Sequence, residues 1–102
     1  MTENIIRKNL NENAYMTATR VWSTWPFYTE AIGATGNFTY IEYVGEYSPY
    51  TTADLENIAR AAELHGMGCM MKVDFQNRGY VAQKAIAAGF QAILFADHHT
   101  AD

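Results

Sequence analysis

Apolar and polar positions alternate along this chain in two rhythms, one helical and one extended. Glu3–Leu10 carries Ile5, Ile6 and Leu10, the spacing of a short amphipathic helix. Tyr15–Trp22 (YMTATRVW) is rich in β-branched and aromatic residues and predicts a strand. Pro26 stands where a first helical residue is favoured, and Phe27–Ile32 predicts a short helix broken by Gly33 and Gly36. Phe38–Val44 (FTYIEYV) is the strongest strand signal in the chain. Thr51 and Asp54 have the spacing of a capping box. Behind them Leu55, Ile58, Ala59 and Ala62 recur at i, i+3, i+4 and i+7, the stripe of a helix buried on one side. Glu56 and Arg60 pair across one turn of its wet side, and Gly66 ends it. Cys69–Val73 (CMMKV) reads as a buried strand. Asn77 can cap a further helix whose buried face is Val81, Ala82, Ala85 and Ile86, with Gly89 as its stop. Ala92–Ala96 (AILFA) reads as another buried strand.

The order is a helix followed by β-α-β-α-β-α-β. Each crossover holds a helix, so the four strands are expected to run parallel. A parallel sheet needs cover on both faces or closure into a barrel. An eight-stranded barrel takes about 250 residues and half of one about 125; this chain has 102. The fold class expected is α/β, a parallel (β/α) half of a TIM barrel with about four strands and an N-terminal helix. Residues 1–102 would form one such unit, incomplete without a second half.

Charge and composition narrow the function classes. Seven basic residues against 11 acidic ones leave a net charge of −4, a poor match for nucleic acid, which needs a basic face. A lone cysteine, Cys69, excludes an intrachain disulfide and suits a reducing compartment. The N-terminus lacks an apolar signal region, and the uncharged stretch Ala85–Ala96 is too short to span a bilayer. A cytoplasmic location without membrane contact follows as the expectation.

In barrels and open parallel sheets, sites lie at the carboxyl ends of the strands. Here those ends offer Trp22, Ser23 and Thr24, then Glu46 and Tyr47, then Lys72 and Asp74, then Asp97, His98 and His99. A lysine inside an apolar strand must pair or reach water, which singles out Lys72. Glu46 can be an ordinary solvated charge, Tyr47 can pack with Tyr43 and Tyr50, and adjacent tail histidines can simply be hydrated. No spacing of histidines and carboxylates indicates a metal site within the chain. The stretch Gly33-Ala34-Thr35-Gly36 follows a helix, not a strand, so it is discounted as a phosphate loop.

From Trp22 to Asp102 the sequence resembles the N-terminal half of the HpcH/HpaI aldolase family, the metal-dependent pyruvate-class aldolases. That family is similar to the phosphoenolpyruvate mutase and citrate lyase β-subunit barrels. Its second strand reads like G-F-D-x-x-x-x-D-x-E-H-G-P; here GNFTYIEYVGEYSP brings Gly36, Phe38, Glu46 and Pro49 into register. The family's arginine in a V-R-V context corresponds to Lys72 in MMKV. Its A-L-D-x-G-A-x-G-I-I-V-P-x-V-x-T-A segment corresponds to AIAAGFQAILFADHHTA, with Gly89, Thr100 and Ala101 matching. Three positions depart: Tyr47 stands for the family's acid/base histidine, Lys72 for its carboxylate-binding arginine, and Val44 for its strand-two aspartate. Tyrosine ordinarily titrates near 10 and is a poor base at neutral pH. Lysine keeps the charge and loses the bidentate fork.

The resemblance implies a carbon–carbon lyase that cleaves or forms a 2-oxo acid such as pyruvate. A divalent metal, Mg or Mn, would be held by carboxylates from later strands, with no metal ligand in this chain. Glu46, Tyr47 and Lys72 would be catalytic, and Trp22, Lys72 and His98 would bind substrate. The alternative is a non-catalytic relative that binds 2-oxo or phosphorylated acids, or a regulatory or assembly subunit. Either way the raw sheet edges of a half-barrel call for a partner, a second half-barrel chain or a homo-oligomer.

Overall fold

In the computed structural model, which describes residues 2–102, the helices and strands alternate as the hydrophobic pattern predicts. Helix α1 spans Ile5–Asn11, β1 Ala18–Val21, α2 Pro26–Ala34 and β2 Tyr40–Val44. They are followed by α3 over Thr52–Glu63, β3 over Gly68–Val73, α4 over Arg78–Ala88 and β4 over Ala92–Phe95. The strands form one sheet in the order β1-β2-β3-β4, and each neighbouring pair is parallel.

Local chemistry accounts for the helix ends. The Asn4 side chain accepts from the backbone N–H of Arg7 at the start of α1. Thr51 and Asp54 close a reciprocal capping box at the start of α3. After α4, Gly89 takes a φ of +117°, a left-handed conformation that stops the helix at little steric cost.

One face of the sheet carries the core. Ile41 and Tyr43 of β2 and Cys69, Met71 and Val73 of β3 pack against Leu55, Ile58, Ala59 and Ala62 of α3 and Val81 and Ala85 of α4. Residues in register share a face, and alternate residues point the other way. The opposite face therefore presents Arg20, Glu42, Met70 and Ala92 at one level, with Val44, Lys72 and Leu94 at the next. No helix of the described residues packs over that face. Helix α1 instead closes the amino ends of the strands, where Gln91 accepts from the Ile5 backbone and donates to Glu3.

Several expectations need correction. Tyr15 is exposed and outside β1, because pairing with β2 starts only at Ala18, opposite Tyr40. Gly33 lies within α2 and does not break it; its missing side chain lets His65 of the following segment come close. Asn77 does not cap α4 with its side chain; Asp74 accepts from both its backbone and its amide. Ile86 is exposed and not part of the α4 core face. Strand β4 is only half covered, with Leu94 and Phe95 open to solvent, because nothing among the described residues pairs with its outer edge.

Candidate functional site

At the carboxyl end of β2 the chain turns at Gly45, whose N–H donates to the Lys72 carbonyl of β3. A Cβ at Gly45 would press on Met71 and on that same carbonyl, so the glycine lets the two backbones approach. The turn places the Glu46 carboxylate against the Lys72 ammonium, and the two form an ion pair. Their side chains are only 4% and 19% exposed respectively. Lys72 thus meets the demand of its apolar strand by pairing, as a buried lysine must.

The pair has clear electrostatic consequences. The hydrogen bond from Lys72 holds the Glu46 carboxyl below the usual carboxylate range, against the opposing effect of burial. The same bond holds the Lys72 ammonium above its ordinary value. Tyr47 is largely exposed and lies with its ring centroid 5.4 Å from Lys72 Nζ, a cation–π contact. The backbone of Asp97, on the same rim, sits at a φ of +56°, uncommon for a residue with a side chain.

Glu46, Tyr47 and Lys72 therefore meet at one point on the carboxyl rim. Tyr43 and Tyr50 pack edge-to-face with centroids 5.9 Å apart, without Tyr47. Trp22 follows directly after Val21, the last residue of β1, and is half exposed. His98 is exposed and makes no hydrogen bond or ion pair among the described residues. Its neighbour His99 stacks on Phe75 at 4.5 Å. Asp97 is among the strand-end residues that the sequence offers, whereas the Arg20–Glu42 pair one level deeper is missed when only strand ends are read. The signal for them was the single charged residue interrupting ATRV and YIEYV on the same face.

Two of the carboxylates on this rim are already engaged, Glu46 by Lys72 and Asp74 by Asn77. Among the described residues, no group of three or more histidine, cysteine or acidic side chains is placed to hold a metal ion. The four strands thus do not by themselves fit the divalent metal implied by the family resemblance.

No protein-family model and no curated protein sequence matches the chain. Solved structures do resemble it in fold. Citrate synthase SbnG superposes with a TM-score of 0.80 at 19% identity, covering 89% of this chain and 36% of that one. The HpcH/HpaI aldolase from Desulfitobacterium hafniense DCB-2 gives 0.76 at 16% identity, covering 88% and 34%. A variant of the citrate synthase gives 0.73 at 19% identity, covering 86% and 36%. The chain spans about a third of the length of these structures. It has the fold of part of a (β/α) barrel of the kind seen in an HpcH/HpaI aldolase.

Proposed function

We propose that this chain contributes the N-terminal half of the barrel in an aldolase-like carbon–carbon lyase acting on a 2-oxo acid such as pyruvate. The observation that carries this reading is the ion-paired Lys72 ammonium on the uncovered face, at the strand ends where barrel enzymes react. In it, Lys72 takes the substrate carboxylate in place of an arginine, and Glu46 holds Lys72 until that carboxylate arrives. Tyr47 donates a hydrogen bond to the substrate oxygen, while Trp22 walls the pocket and His98 closes it from the tail. A divalent metal would come with carboxylates of later strands, and the closing strands from a second half-barrel or a second copy. A cytoplasmic setting accords with the lone buried cysteine.

The second reading, a relative that binds the acid without turning it over, is favoured by one observation. Tyr47 occupies the position of the expected base and makes its contact with a cation. Assays of the completed barrel with Mg²⁺ or Mn²⁺ over a panel of 2-oxo acids separate the two. Turnover supports the lyase; binding without turnover supports the binder. In either case Lys72→Ala weakens binding of the 2-oxo acid by about tenfold to a hundredfold, the worth of a charge-assisted hydrogen bond. Unaltered affinity in that variant overturns both readings.

A further inference from the structure

Arg20 stands on the same uncovered face as Lys72, one strand beyond β2 and two residues nearer the amino end. Its Nε donates to Glu42 Oε2 at 3.4 Å. No other hydrogen bond or ion pair engages the guanidinium among the described residues. The fork formed by its two terminal nitrogens is therefore free, and the side chain is 59% exposed. Glu42, by contrast, is 14% exposed, and its other oxygen, Oε1, is buried without a partner. A sheltered carboxylate that grips Nε fixes the plane of a guanidinium and leaves its bidentate edge for an anion.

The backbone placement suits a shared ligand. Arg20 and Lys72 lie on β1 and β3, two strand spacings across the sheet and two residues along it, a backbone separation of roughly 12 Å. Each carries a long, flexible side chain on the same face, and the Arg20 charge is felt at the Lys72 ammonium. Around them stand the exposed Trp22 and Leu94, the half-buried Met70 and the buried Val44, with no further cation there among the described residues.

Resting on the reading of Lys72 as a carboxylate site, we propose that Arg20 is a second anion-binding residue and Glu42 its positioning residue. The acid taken by this face then carries two anionic groups, one on Lys72 and one on the Arg20 fork. A dicarboxylic 2-oxo acid or a phosphorylated 2-oxo-type acid has that chemistry.

The test measures affinities of the completed barrel for pyruvate, oxaloacetate and phosphoenolpyruvate by NMR titration, using the Met70 methyl of this chain as reporter. The wild type binds at least one dianionic acid tenfold or more tightly than pyruvate; which one it prefers tells a second carboxylate from a phosphate. In Arg20→Gln that preference falls to near one, and Arg20→Lys restores part of it. Glu42→Gln also reduces the preference, by loosening the guanidinium. Lys72→Gln weakens all three acids and keeps the ratio. No preference in the wild type, or a preference that survives Arg20→Gln, overturns the proposal. If Lys72→Gln has no effect while Arg20→Gln does, the Lys72 reading fails and the Arg20 site stands. Circular dichroism of each variant shows that the sheet is retained.

Discussion

The Glu46–Lys72 pair gives a sign to the pH dependence of stability. Glu46 is held below its ordinary value of 4.5, so its contribution is present above that value and is lost as pH falls through the folded-state value. Lys72 is held above its ordinary value of 10.5, so its contribution is present below that value and is lost as pH rises through the folded-state value. The pair therefore stabilises the sheet across the neutral range. The difference in melting temperature between wild type and Glu46→Gln is expected to be largest near neutrality and to shrink as pH falls below 4.5 and through the folded-state value. A difference that grew on acidification would contradict this account of the pair. Lysine in an apolar run was legible in the sequence because an unpaired buried charge is so costly. Its partner was legible only as a neighbour on the rim, as was Asp97, and Arg20 not at all, since strand reading was confined to the ends. The Cys69 thiol, by contrast, was expected to be buried and is, with burial pushing it up to about 12.

At the scale of the element, the helices were legible where a cap and a stripe coincided. Helix α3 has both, in the Thr51–Asp54 box and the Leu55, Ile58, Ala59, Ala62 face. Helix α4 was read with its Ile86 inward; the periodicity permits that, but the strand it would face is at the open edge of the sheet. Gly33 shows why glycine alone is an ambiguous stop. In α2 it serves the contact with the segment after α3, where a Cβ would come within 2.6 to 2.8 Å of three His65 side-chain atoms. Helix propensity favours alanine over glycine by about 1 kcal/mol, whereas forcing an atom into a filled contact costs about 1–3 kcal/mol. Gly33→Ala is thus expected to destabilise by about 1 kcal/mol, read by denaturant unfolding. A stabilised variant would mean that α2 and the His65 segment are not packed as described.

For the whole molecule, the parallel sheet was legible from the alternation of strands and helices alone, which left open cover on both faces or closure into a barrel. The radius of gyration of 13.1 Å is that of a compact unit of this length. The compactness is one-sided. The inner face holds Arg20, Glu42, Val44, Met70, Lys72 and Leu94 with no helix over it, and β1 and β4 each offer a free edge. Parallel sheets of this kind are found covered on both faces. No helix of the described residues is long and apolar enough to cross a membrane. What the sequence did not reveal is which molecule does, because an edge strand reads the same whether its partner is a copy of itself or another chain.

The central claim is that this sheet is half of a barrel, and native mass spectrometry of the purified 11.5 kDa chain tests it most directly. The account predicts an assembled species, either two copies of the chain or the chain with a second polypeptide, that melts cooperatively as a unit. A monodisperse 11.5 kDa monomer with cooperative melting at micromolar concentration would contradict it.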